Sequence, residues 1–161
     1  MSVDTSFFLP APLVLDISEI DDQHSALFAQ LADIKAICLE ANQLPLAQAE
    51  ALLSALQEHF ATEERLADGA GLDFSEHARK HEKMFAVIRN AISQAHEGPR
   101  DVFGLLRFVE YWFERHIGEE DRQLSIGLLN ASFCSSLTMA EPPQERDHDS
   151  VSWQQAVGGL N

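Results

Sequence analysis

The stretch HARKHEKMFAVIRNAI, residues 77–92, decides the fold. His77, His81, Met84, Phe85, Ile88 and Ile92 recur at steps of three and four, the period that gathers side chains on one face of an α-helix. Asp73-x-x-Glu76 offers a cap ahead of this helix, and Gly98-Pro99 closes it. Upstream, a helix from Pro45 to Gly69-Ala70-Gly71 carries Leu52, Leu56, Phe60 and Leu66. Before that, residues 18–42 place Ile20, Leu27, Phe28, Leu31, Ile34 and Cys38 on one side, with Ser18-x-x-Asp21 resembling a capping box. Downstream, a helix from about Asp101 holds Leu105, Leu106, Val109, Phe113, Ile117, Leu124 and Leu128. Strand signals are nearly absent. Helices of this length on short connections predict an all-α fold, an antiparallel up-down-up-down four-helix bundle over residues 18–130.

Two segments fall outside this pattern. Residues 1–17 form an N-terminal arm whose apolar residues are broken by Pro10 and Pro12, so it is expected to lie extended across the domain. Residues 131–161 form a C-terminal tail with Pro142-Pro143 and a charged run at 145–149. That tail is expected to be flexible or, alternatively, to dock Trp153, Val157 and Leu160 on an apolar groove.

Composition narrows the partners. The chain has 161 residues, one domain's worth, and 11 basic against 26 acidic residues leave a net charge of −15. Nucleic acid and anionic membranes repel such a polyanion and are excluded as partners. Met1-Ser2-Val3-Asp4 lacks a basic start and no apolar run approaches bilayer-spanning length, so the expected location is cytoplasmic. Two cysteines, Cys38 and Cys134, form neither a disulfide framework nor a CxxC pattern.

The histidines point to chemistry. His24, His59, His77, His81 and His116 all continue apolar stripes, and Glu63 follows His59 by one helical turn. A single inward histidine is ordinarily a core residue with one hydrogen bond. Five on facing helices, with inward carboxylates, exceed what hydrogen bonding satisfies cheaply, whereas a metal centre uses them all. Asp121 lies five residues after His116, about 500° around an ideal helix and off a common stripe. Either Asp121 reaches sideways or a π-type turn around Gly118 realigns it; sideways reach needs no special backbone and is the expectation. Nitrogen and carboxylate donors without thiolate suit two six-coordinate first-row ions better than one tetrahedral zinc, magnesium or calcium. HExxH is missing, since His81-Glu82 is followed by Lys83-Met84-Phe85, and ferritin-like Glu-x-x-His pairs are missing from the helices.

In its residues Ile20-Asp21-Asp22-Gln23-His24, His59-Phe60-x-x-Glu63-Glu64, His77-x-x-x-His81 and Trp112-Phe113-x-x-His116-Ile117 followed by Asp121, the chain resembles the hemerythrin family, specifically its bacterial domains. The resemblance spans roughly residues 16–128 and implies reversible O2 binding at two non-haem iron ions with a bridging oxo or hydroxo group. It implies that His77, His81 and His116 hold one iron, His24 and His59 the other, and that Glu63 and Asp121 bridge both. One coordination position would then stay open on the two-histidine iron, for O2 or for another small diatomic or anion. Leu27, Phe28, Phe60, Trp112, Phe113 and Ile117 neighbour these residues and are the expected dry lining of an O2 pocket. The family's frequent arm tryptophan or tyrosine is replaced by Phe7-Phe8, and Arg122 and Leu124 stand where lysine and tyrosine are common. His96 and His148 have no family counterpart and are expected to be solvated.

The expected role is non-enzymatic, O2 storage or delivery. The alternative is an O2 or redox sensor that signals through the tail or a partner domain. Peroxide or nitric oxide turnover at the di-iron site is a third reading, disfavoured because no inward acid remains to act as proton donor.

Overall fold

In the computed structural model, residues 9–95 and 101–138 are described. A 3₁₀ turn at Ala11–Leu13 precedes α1 (Ser18–Ala41), α2 (Leu46–Gly69), α3 (Ser75–Ala95) and α4 (Val102–His116). A π-helical turn at Ile117–Asp121 leads into α5 (Arg122–Thr138). Backbone angles stay helical on both sides of this turn, φ −59°, ψ −47° at His116 and φ −64°, ψ −41° at Arg122. α4, the π turn and α5 are therefore one rod, the fourth of a four-helix bundle, and the described residues contain no strand. The rod runs to Thr138, past position 130 where the apolar pattern was expected to end the bundle.

Local chemistry sets the ends. Asn42 in the left-handed region (φ 51°) stops α1, its N–H donating to the Cys38 carbonyl at 2.9 Å. Gly71, with φ +66°, reverses the chain after α2, a conformation glycine adopts without Cβ strain. Asp73 Oδ1 accepts from the Ser75 N–H at 3.0 Å and hydroxyl at 2.7 Å, opening α3, and Asp101 caps α4 by accepting from the Gly104 N–H at 2.8 Å. The expected capping box on α1 is not formed: Ser18 caps nothing. Asp21 instead turns back and accepts from the N–H groups of Leu15 (2.9 Å) and Asp16 (3.0 Å), which pins the arm. Arg122 donates to the Pro12 carbonyl and Leu15 is buried, so the arm lies along the π turn rather than free of the bundle.

The predicted stripes form the core. Ile20, Leu27, Leu31, Ile34 and Cys38 of α1 meet Leu52 and Leu56 of α2, Met84, Ile88 and Ile92 of α3, and Leu106, Val109 and Phe113 of α4. Leu124 and Leu128 extend it along α5, while Phe85 is only partly buried, under Arg89. Burial of this apolar area is what holds the helices together, and it also fixes the depth at which the histidines sit. No helix among the described residues is long and apolar enough to cross a membrane. His96, His148, Gly98-Pro99, Phe7-Phe8 and the Trp153 segment lie outside the described residues.

Candidate metal centre

Each rod contributes to one polar cluster inside the bundle. α1 supplies His24, α2 His59 and Glu63, α3 His77 and His81, α4 His116, and the π turn Asp121. All seven side chains come together. His24, His59, Glu63 and Asp121 have no exposed surface, and His77 keeps the most solvent contact, 11% of its side chain.

The π turn is what brings Asp121 in. The expected sideways reach is overturned: the backbone takes up one extra residue between His116 and Asp121, so the two stand about one turn apart, as an i,i+4 pair does in an α-helix. Asp121 Oδ1 then lies 3.0 Å from His116 Nε2 and 2.9 Å from His77 Nε2, and its Oδ2 lies 3.2 Å from His24 Nε2.

Glu63 divides itself the same way. Its Oε2 is 3.4 Å from the Nε2 atoms of His77 and His81, and its Oε1 is 3.4 Å from His59 Nε2 and 4.0 Å from His24 Nε2. Each carboxylate thus directs one oxygen to a three-histidine group and the other to a two-histidine group. These two groups are His77, His81 and His116 on one side, His24 and His59 on the other, with Glu63 and Asp121 common to both.

Electrostatics oppose this arrangement in the metal-free chain. Burial lowers His59 to about 3, helped by the neighbouring His24, and lowers His81 to about 2, helped by His116 and His77. Burial, then the Asp121 charge, pushes Glu63 well above the ordinary carboxylate range. Burial works against Asp121 too, but His116, His24 and His77 hold it well below that range. Two buried carboxylates this close do not both ionise cheaply without a cation.

The polar atoms fit a metal better than each other. None of the four carboxylate oxygens meets an aligned hydrogen-bond donor, although ring nitrogens stand near them. His24 and His59 Nε2 atoms are 3.2 Å apart, His77 and His116 3.0 Å, His81 and His116 2.7 Å, so lone pairs converge on shared points. Imidazole nitrogens bound at about 2.1 Å lie about 3.0 Å apart at right angles and about 3.4 Å apart in a tetrahedron. The two separations within the three-histidine group are close to or shorter than the right-angled value, and that of His24 and His59 lies between the two.

Outer contacts aim these rings. His59 Nδ1 donates to Gln23 Oε1 at 3.0 Å, leaving its Nε2 lone pair for the cluster. Gln23 Nε2 donates to Thr62 Oγ1 at 3.0 Å, and Thr62 donates to the Glu58 carbonyl at 3.0 Å, which fixes the amide's orientation. On the other side, Glu120 Oε2 lies 3.1 Å from His116 Nδ1 while Lys80 pairs with Glu120 Oε1. Partial burial opposes the Glu120 charge, but the Lys80 hydrogen bond and the His116 and Lys80 charges hold Glu120 below its usual range. Sequence reasoning missed Gln23, Lys80 and Glu120 as orienting residues. Gln23 directly precedes His24, but its target is on α2, and spacing within one helix does not reveal it.

The six expected lining residues are divided by the structure. Leu27, Phe113 and Ile117 are fully buried, and Phe28, Phe60 and Trp112 pack partly buried against the core. Phe113 sets its edge against His24 and His59, at ring-centre distances of 5.4 and 6.0 Å, and touches Phe28 at 5.2 Å. Phe60 instead stacks on His81 at 3.8 Å, and Trp112 stacks on His116 at 4.5 Å. Trp112 therefore braces the three-histidine group, Phe60 lies between the groups with its ring also 5.7 Å from His59, and Phe113, in contact with Phe28, faces the two-histidine group.

No curated protein and no solved structure matches the chain. Residues 15–125 match the family model described as the hemerythrin HHE cation-binding domain, a span that includes every member of the cluster. With its histidine, glutamate and aspartate side chains gathered into a metal-binding cluster at the middle of four helices, the chain belongs to the hemerythrin family.

Proposed function

We propose that this protein binds O2 reversibly at a non-haem di-iron centre, for storage or delivery. His77, His81 and His116 hold one iron, His24 and His59 the other, and Glu63 and Asp121 bridge them. The observation that carries this reading is the division of each carboxylate's two oxygens between the two histidine groups. When bound, two ferrous ions with a bridging oxo or hydroxo group would supply two electrons and, beside the two-histidine group, an open coordination position for a diatomic ligand.

The chain's own residues make that position selective. His24 and His59 offer one nitrogen fewer than the three-histidine group, so an open position would fall on their side when metal is bound. Phe113 sets buried apolar surface against His24 and His59, and Leu27 and Ile117 are buried in the same core, which would keep out the water and protons that displace a reduced oxygen ligand. Gln23 holds His59 in the tautomer that presents Nε2 inward. Among the described residues the fully buried acids are Glu63 and Asp121, both members of the cluster, which supports binding over turnover.

Sensing is the second reading, motivated by the unbroken rod from Asp121 to Thr138 that joins the cluster to the C-terminal part of the chain. The test of O2 binding is optical: reduced protein exposed to air should gain an oxygen-to-iron charge-transfer band that disappears on removing O2. Irreversible oxidation in a single cycle would reject it, and sustained consumption of peroxide or nitric oxide would transfer the site to turnover.

A further inference from the structure

Beyond the metal centre, one helix face among the described residues lacks cover. On α5, Ile126 (54% exposed), Leu129 (47%), Phe133 (67%) and Leu137 (60%) follow one another at steps of three, four and four, so they form one apolar stripe about 16 Å long. No Asp, Glu, Lys or Arg occurs from Gln123 to Ala140, in a chain whose net charge is −15. An apolar helix face of this kind marks an interaction surface.

We infer that residues 151–161 of the same chain cover the α5 stripe. Their sequence, Val151-Ser152-Trp153-Gln154-Gln155-Ala156-Val157-Gly158-Gly159-Leu160-Asn161, has no charged side chain, follows the stripe in the chain, and carries Trp153, Val157 and Leu160 at steps of four and three. Between the two stretches, Glu141–Ser150 holds the charges and Pro142-Pro143, which cannot continue a helix. The fifteen residues from Thr138 to Trp153 reach at most about 50 Å, ample to return along a 16 Å stripe. Tethering presents the segment at an effective concentration of the order of millimolar. A second copy of the chain has no such advantage and meets the repulsion of its own net charge.

The experiment is amide hydrogen exchange on the full chain, with sedimentation in the same buffer, comparing wild type with L129E/F133E. Both positions are exposed, so the variant keeps the bundle fold, which circular dichroism checks. In a wild-type monomer, amides of 151–161 should exchange at least about tenfold more slowly than in the variant, and tail protection should not depend on bound metal. Free-peptide exchange rates in wild type would overturn the inference. Protection that the variant leaves unchanged would also overturn it, because the segment would then be docked elsewhere. Protection found only in a dimer that the variant dissociates would assign the stripe to a second copy instead.

Discussion

Gln23→Leu separates the two halves of the proposed centre. Leucine keeps most of the volume but removes the oxygen that accepts from His59 Nδ1 at 3.0 Å, on a histidine with no exposed surface. That N–H is left buried without a partner, and the ring loses the contact that selects its tautomer. Losses of this kind in orienting contacts lower metal affinity by about 10- to 100-fold, or about 1.4–2.7 kcal/mol. His59 belongs only to the two-histidine group, so the loss should fall on one metal. Anaerobic titration of the metal-free protein with Co(II), followed by its absorption and by chelator competition, should show the three-histidine site filling as in wild type. The second equivalent should bind about 10- to 100-fold more weakly, with a one-metal form accumulating between. Thr62→Val, which removes the anchor of the Gln23 amide and the hydroxyl's bond to the Glu58 carbonyl but leaves Gln23 Oε1 on His59, should show a smaller shift in the same step. Equal weakening of both steps, or no weakening, would refute the assignment of Gln23 to one half of the centre.

Three further outcomes are expected. Phe113→Ala opens a cavity in the core and should cost about 3–5 kcal/mol in denaturant unfolding; it should also shorten the lifetime of the oxygenated form more than Trp112→Ala, whose ring braces His116. Equal lifetimes would remove Phe113 from the dry lining. Deleting Gly118 leaves His116 and Asp121 one ordinary α-turn apart, about 40° around the helix, so two metals per chain should still bind; inserting an alanine after Gly118 should lose them. Metal analysis of the deletion and insertion variants reads this directly. The metal-free protein should lose stability as pH falls below 6.5, because unfolded histidines take up protons that His59 and His81 refuse until about 3 and 2. Each of the two contributes about 1.4 kcal/mol per pH unit across that window, and acid denaturation of the metal-free chain with a flat stability between pH 7 and 5 would contradict it.

The bundle was legible because its signals are local. Stripes at steps of three and four, Pro45 ahead of α2 and Asp101 ahead of α4 act within a single helix, and so do the His59–Glu63 and His77–His81 pairs. The π turn was half legible: the five-residue step from His116 to Asp121 raises it beside a sideways reach, but Ile117-Gly118-Glu119-Glu120 carries no residue that specifies an i→i+5 hydrogen bond over an i→i+4 one. What distinguishes the two registers is tertiary: only the extra residue lets Asp121 face His24, His77 and His116 together. The same reason hid the orienting residues, because Gln23 acts on α2 and Lys80 acts from α3 through Glu120. Periodicity placed Phe60, Trp112 and Phe113 near the donors alike, but ring orientation across the bundle decides which histidines each one touches. At Ser18 the local pattern misled, since the arm offered Asp21 the Leu15 and Asp16 amides and left Ser18 without a role.

The shared use of Glu63 and Asp121 by two histidine groups is tested most directly by iron content and magnetic susceptibility on one anaerobically reconstituted sample, then oxidised. The account predicts two irons per chain whose spins are coupled through the bridging groups, with the coupling lost in Asp121→Ala. One iron per chain, or two that behave as independent ions, would contradict it.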